Sequence, residues 1–366
     1  MRYDKVFRFL LFTFVAGSIV GLLAGLLVTG PRARAATGTE AVSVTTSGPA
    51  ESDLGAKEPM TPERAKAMGA NEAGQVLVLM YHLITKPEDP TALEPDYSRS
   101  ALHFQEDIAL LKAEGYYPIT VKDLVTGSID IPAGKSPVIL TFDDSSQGQY
   151  RILDDGTVDP QSAVGILLAA GEDGNWPMRA SFFPLLDVDL ADRVLFGQPE
   201  KQKEKLQQLV EWGCEVGSHS YTHLNLKTSS REVIIKELAL SMKKIQEMAG
   251  NGYEVFTLAV PFGEYPEDES LLAAGEYEGF TYAYHAALAV TGGPSDSPFS
   301  TKFDPMHVKR MEVHGDSLKQ AINAAKKSPE LRYISDGDPT VISAPADLPE
   351  ELGSLLSNLG RPVITY

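Results

Sequence analysis

Cysteine and positive charge are both scarce in this sequence. Its one cysteine, Cys214, has no partner for an internal disulfide, so cysteine usage signals neither an oxidising nor a reducing compartment. Against 50 aspartates and glutamates stand 32 lysines and arginines, a formal net charge of -18. That balance argues against nucleic acid as a partner, because a surface basic enough to neutralise a phosphate backbone does not easily survive it. Internal repeats at solenoid periods are also missing. What is present is an ordinary globular composition over 366 residues, 43% hydrophobic and 22% charged, long enough for one large core with appendages.

The first 35 residues carry the location signal. Arg2, Lys5 and Arg8 precede an uncharged, mostly apolar run from Phe9 to Gly30, long enough to span a bilayer as a helix. Ala33-Arg34-Ala35 resembles a small-residue cleavage site, so residues 1–35 read as a membrane anchor or a cleaved signal segment. Both readings export the remainder, to the outer face of the cell membrane or as a secreted protein. Residues 36–72, rich in Ala, Thr, Ser, Gly, Pro and Glu without an apolar period, read as a flexible linker.

Residues 73–328 change character. Short apolar runs at Val76–Met80, Val138–Phe142, Ala180–Phe183, Cys214–Ser218 and Val255–Val260 are too short for helices and read as buried strands. Between them the pattern predicts helices from about Ala101 to Glu114, from Lys201 to Trp212, and from Ser229 to Gly250. The last shows capping-box spacing at Ser229 and Glu232 and an apolar face of Val233, Leu238, Met242 and Ile245. Alternating strands and helices imply a parallel sheet, open or closed into a barrel, with active groups at the carboxyl ends of the strands. Residues 329–366 form a C-terminal extension with possible strands at Thr340–Ser343 and Val363–Tyr366 around a short helix, Glu350–Asn358, its packing left open.

Two strands run into chemistry. Val138–Phe142 ends in Asp143-Asp144, and Cys214–Ser218 runs into His219-Ser220-Tyr221-Thr222-His223. Each motif has a bland reading, a solvated turn or two unrelated histidines, since Asp is common at turns and caps. On one helical turn, imidazoles at i and i+4 share a face and meet one ion at about 2.0–2.1 Å. Two His and one carboxylate make a divalent metal site with open positions, which polarises a carbonyl and activates water for amide or ester hydrolysis. Adjacent residues at a strand end point in different directions, so Asp144 can ligate while Asp143 serves as base.

Thr-Phe-Asp143-Asp144 followed by His219-Ser220-x-x-His223 resembles the polysaccharide deacetylase family, the NodB homology domain. The resemblance extends over roughly Val76 to Ser317 and includes Ala180-Ser-Phe-Phe183, Gly213-Cys-Glu-Val-Gly-Ser218 and Val260-Pro261-Phe262-Gly263. It implies an α/β fold, a distorted (β/α)7 barrel, here with an N-terminal membrane span and flexible tether. It also implies a divalent metal, usually zinc, and removal of acetyl groups from N-acetylglucosamine polymers or acetylated xylans, with an N-acetylated polysaccharide or oligosaccharide as partner. Asp143 takes the place of the family's base, and Asp144, His219 and His223 that of its ligands.

Other positions depart from the pattern. No late Leu-x-His copy supplies a proton donor, but Met80-Tyr81-His82 resembles the branch acting on poly-N-acetylglucosamine, which makes His82 the candidate acid with His314 in reserve. Its bland alternative is a structural histidine bonded to a loop carbonyl. Ser145 replaces the usual glycine, and Leu258-Ala259-Val260-Pro261 lacks the arginine that orients the base; Arg310 is the candidate replacement, a surface arginine the plain alternative. Pro261, Phe262, Gly263 and Arg310 are the candidate substrate-side residues, and the loop residues Gln149, Tyr150, Asp159 and Trp176 could shape a groove. The reading is a hydrolase of carbon–nitrogen bonds other than peptide bonds. The departures keep two rivals open: a non-catalytic carbohydrate-binding protein, and an O-acetyl esterase or non-sugar amidase.

Overall fold

The structure, a computed structural model, describes residues 58–86, 97–357 and 360–366. The expected span at 1–35 and the first part of the linker lie outside them. Among the described residues no helix is long and apolar enough to cross a membrane. In chain order the first half contains α1 Pro62–Met68, β1 Leu77–Tyr81, β2 Leu83–Thr85, β3 Ser98–Ser100, α2 Ala101–Ala113, β4 Tyr116–Ile119, α3 Val121–Val125, β5 Ser136–Asp143 and α4 Ala163–Ala170. Then follow β6 Ser181–Phe183, α5 Gln202–Glu211, β7 Glu215–Val216, α6 Arg231–Ala249, β8 Thr257–Ala259, α7 Ser270–Ala273, β9 Ala274–Tyr277, β10 Phe280–Ala283 and β11 Ala286–Gly292. The chain finishes with β12 Val308–Glu312, α8 Ser317–Lys327, β13 Ile342–Ala344 and β14 Val363–Thr365.

All residues of β5 are buried, which is why Ser136–Asp143 reads as an apolar run rather than an alternating strand: a parallel sheet is covered on both faces. The main sheet has the order β7-β6-β5-β1-β12-β11-β8, every neighbouring pair parallel. β4 pairs with the first half of β5, and β6 with its end, where Asp143 lies opposite Phe183. The two outer edges approach each other: Ser218 N–H donates to Thr257 O and Ala259 N–H to Ser218 O, each at 2.9 Å. The result is an α/β parallel sheet curled into a half-barrel, consistent with the expected (β/α)7 fold. It brings the loops after β1, β5, β7 and β8 to one end.

Local details correct several expectations. The N-cap of α6 is Ser230, whose side chain makes no capping hydrogen bond, and the Ser229 hydroxyl donates to Asn225 O at 2.7 Å. On the same helix Val233 is 42% exposed, and Ile234 joins Leu238, Met242 and Ile245 on the buried face. Within the stretch expected as linker, α1 is capped by Thr61 and buries Ala65, and Glu72 is buried against the C-terminal segment. β13 and β14 pair in parallel, but Glu350–Leu352 is a single 3-10 turn that ends at Gly353, φ 70°, where a longer helix was expected.

Candidate metal and catalytic site

The last residue of β5 is Asp143, and the chain then turns through left-handed backbone at Asp144 (φ 70°) and Ser145 (φ 42°). Neither has glycine's freedom there, so surrounding contacts hold the turn. The two carboxylates therefore leave the strand in different directions. Asp143 is met by Arg310 from β12: Nη1 donates to Oδ1 at 2.8 Å and Nη2 to Oδ2 at 2.9 Å. Arg310 also donates from Nε to Ala289 O and from Nη1 to Thr141 Oγ1, and is 0% exposed. Burial pushes the Asp143 carboxyl up, but Arg310 and then His219 outweigh it and hold it below the usual carboxylate range. The expectation that Arg310 replaces the missing arginine fits this geometry. Its inclusion among substrate-side residues does not, since a fully buried guanidinium meets no substrate.

His219 and His223 do not share a helical turn. They lie in the loop after β7, where Ser220 (φ 58°) and His223 (φ 57°) reverse the chain and bring the rings to 4.8 Å between centroids. The same convergence is thus reached by strained loop geometry. His219 Nδ1 lies 2.8 Å from Ala259 O, and since a carbonyl only accepts, Nδ1 must carry the proton. This leaves Nε2 of the neutral ring with its lone pair, 3.4 Å from Asp144 Oδ1, while His223 Nε2 lies 3.7 Å from the same oxygen.

One ligand atom each from Asp144, His219 and His223 lies within 4.8 Å of the others. Asp144 Oδ1 is buried without a hydrogen bond of normal geometry. A buried carboxylate oxygen between two imidazole nitrogens is a donor set that suits a divalent ion, zinc among them, so the residues fit the implied group. The charges agree. Burial raises the Asp144 carboxyl, but the imidazole of His219 beside it takes it far below its ordinary value. Burial and the neighbouring His219 push His223 down to about 4, which leaves it neutral and able to ligate near pH 7. For His219 burial acts downward, yet Asp144 and Asp143 together raise it.

These groups line a pocket of about 350 Å³. His82 lines it too, its ring packed edge-on to Tyr97 at 5.1 Å and its Nδ1 buried without a hydrogen-bond partner. His314, the reserve acid, is exposed beyond β12 and lies outside the pocket lining. Of Pro261, Phe262 and Gly263, Phe262 alone lines the pocket: it has φ 60°, is 59% exposed, and packs against His223 with the rings tilted by 57° and 4.4 Å between centroids. Pro261 is buried, and Gly263 turns against Val290.

Sequence reasoning missed Arg193 in the pocket wall and misjudged Gln149. Nothing about Arg193 in its loop sets it apart from other arginines. Gln149 is 0% exposed and shapes no groove; its Nε2 donates to His82 O at 2.6 Å and to Asp143 O at 2.5 Å. One side chain therefore braces the backbone of both the candidate base and the candidate acid. Tyr150 and Trp176 are likewise core residues, and Asp159 pairs with Lys86.

Residues 177–283 match a protein-family model described as polysaccharide deacetylase. That stretch contains His219, His223 and Phe262, while His82, Asp143, Asp144 and Arg310 lie outside it. Two solved structures are similar in fold, each over 68% of this chain at 20% identity and a TM-score of 0.51. One is BA0330 from Bacillus anthracis, covered over 68% of its own chain, and the other BC0361, a polysaccharide deacetylase from Bacillus cereus, covered over 69%. No curated protein matches the chain. In class, the fold is a curled parallel α/β sheet with its polar residues gathered at the carboxyl ends of the strands. More particularly, residues 177–283 are similar in sequence to the polysaccharide deacetylase family, in keeping with the resemblance.

Proposed function

We propose that this chain is a metal-dependent hydrolase that removes N-acetyl groups from an extracellular or cell-wall amino-sugar polymer, with zinc as its ion. The observation that carries the reading is the buried, unbonded Oδ1 of Asp144 between His219 Nε2 and His223 Nε2, with the Arg310-paired Asp143 beside it in the same pocket. A divalent ion held by Asp144, His219 and His223 would supply Lewis-acid polarisation of the acetamide carbonyl and a more acidic water. Asp143, ionised by its pairing with Arg310, accepts the proton of the attacking water. A backbone N–H near Phe262 donates toward the carbonyl oxygen of the acetyl group as negative charge develops on it. Protonated His82 donates to the leaving sugar nitrogen, giving free amine and acetate. The half-exposed rings of Tyr97 and Phe262 flank the opening and suit stacking on a sugar's C–H face.

Arg310 on Asp143 supports this reading over a non-catalytic carbohydrate binder, since it supplies the orienting arginine whose absence from the motif suggested lost turnover. Met80-Tyr81-His82 supports kinship with the poly-N-acetylglucosamine branch, and the Phe9–Gly30 run supports export, anchored or secreted. The test is acetate release from three substrates: N-acetylglucosamine oligomers, O-acetylated xylan and a non-sugar acetamide. Release from the oligomers is expected to dominate. Release confined to xylan or to the acetamide would replace the reading with the esterase or amidase, and release from none would favour the non-catalytic binder.

A further inference from the structure

Ser145 stands where the resemblance leads one to expect glycine, and its contacts show what a side chain adds there. It is 0% exposed, its Oγ donates to Arg193 O at 2.5 Å and accepts from Leu185 N–H at 2.9 Å, and its carbonyl accepts from Phe196 N–H at 3.0 Å. Three hydrogen bonds thus fasten the residue after the aspartates to the loop 185–196. That loop turns through Leu195 (φ 47°) and Phe196 (φ 66°), conformations costly for bulky residues, and Phe196 O is held from the other side by Lys205 Nζ at 3.0 Å. A strained loop fixed at both ends is a means of placing one side chain.

That side chain is Arg193. It is 15% exposed, and Nη1 lies 3.5 Å from Asp144 Oδ2, while Asp144 Oδ1 faces the two imidazoles at 3.4 and 3.7 Å. We propose that Arg193, held in place by Ser145, is a positioning residue for the metal centre: its guanidinium engages one oxygen of Asp144 and so turns the other toward His219 and His223. The inference rests on the reading that Asp144, His219 and His223 bind a divalent ion. A guanidinium this close also repels a cation, and the two effects predict opposite results. Orientation is the larger where the ligand is buried and its geometry is set by a fixed partner; such outer partners are typically worth about 10–100-fold in metal affinity. Repulsion acts over a longer distance, from a group that water partly reaches.

The experiment measures Zn²⁺ affinity of the full chain by calorimetry, for the wild type and for Asp144→Ala, Arg193→Ala, Arg193→Lys, Ser145→Gly and Leu190→Ala. Arg193→Ala is expected to weaken Zn²⁺ about 10–100-fold. Arg193→Lys keeps the charge without the planar fork and is expected to recover only part of that loss. Ser145→Gly is expected to weaken binding by less than Arg193→Ala, and Leu190→Ala, on the same loop but 52% exposed, to leave it unchanged. If Arg193→Ala does not fold, as read from its thermal melt, Arg193→Lys decides: wild-type affinity there overturns the fork's role. Zn²⁺ binding at wild-type strength or tighter in Arg193→Ala, with Asp144→Ala defective, overturns this inference alone. Loss of the distinction between wild type and Asp144→Ala instead removes the metal reading, and this inference with it.

Discussion

At the end of β5, Asp143 is buried against the guanidinium of Arg310 and beside His219; before β1 begins, Glu72 is buried against the second carboxyl of Asp336 and the backbone N–H groups of Ser343 and Asp336. Burial raises both carboxyls. At Asp143 the cations outweigh it and the group stays ionised, whereas at Glu72 burial and the charge of Asp336 add up, pushing it to about 8. One region therefore keeps a negative charge ready for chemistry. The other holds a neutral acid that hydrogen-bonds the N-terminal segment to the C-terminal one, with Ser343 Oγ donating to Asp336 Oδ2 at 2.6 Å. Both side chains are carboxylic acids buried to a similar degree, so the difference lies in what packs alongside.

The comparison breaks most visibly at Asp143. Asp143→Asn is expected to lower the rate of acetate release by about 10²–10⁴-fold, the typical contribution of a positioned base. Zn²⁺ affinity measured in parallel should change far less, because the ligand cluster is left intact. Next in size is Arg310→Met, which leaves Asp143 buried without its cation. Chemical denaturation should show a loss of about 3–5 kcal/mol, as for a broken buried pair, together with lost activity. A variant as stable as the wild type would mean that the pair is not the reason the carboxyl stays charged.

Glu72 gives a smaller effect of the opposite sense. Its folded-state value of about 8 lies above the ordinary carboxyl value of 4.5, so the folded protein keeps a proton that the unfolded chain has released. Its contribution is full below the unfolded value and is lost as pH rises through about 8. Melting curves of the wild type should therefore fall more steeply than those of Glu72→Gln between pH 5 and 9, by on the order of a few kcal/mol at most. Parallel curves would sink the account of this seam. Smallest of all, Val233→Ala should change stability by no more than about 0.5 kcal/mol, while Ile234→Ala should cost about 2–5 kcal/mol in the same denaturation series.

Val233 and Ile234 also show where the sequence was legible and where it was not. The period of α6 was clear, but neighbouring β-branched residues compete for its buried face, and tertiary packing chose Ile234. β5 was legible because a strand covered on both faces must be apolar throughout, and Asp143-Asp144 because charge interrupts that run at its carboxyl end. The convergence of His219 and His223 was found for the wrong local reason: spacing suggested a helical turn, whereas positive φ at Ser220 and His223 does the work. Arg193, Ser145 and Gln149 stayed hidden because their roles depend on partners up to 67 residues away and on which way a loop folds back. Arg310 is the instructive middle case. The missing arginine predicted that a replacement was needed, and only the parallel neighbours β1 and β12 bring it across to Asp143.

The most direct measurement is acetate release from N-acetylglucosamine oligomers by the full chain before chelation, after exhaustive chelation, and after Zn²⁺ is returned. The account predicts release that disappears with the metal and comes back with it. Release that persists unchanged in the fully metal-depleted protein would contradict it.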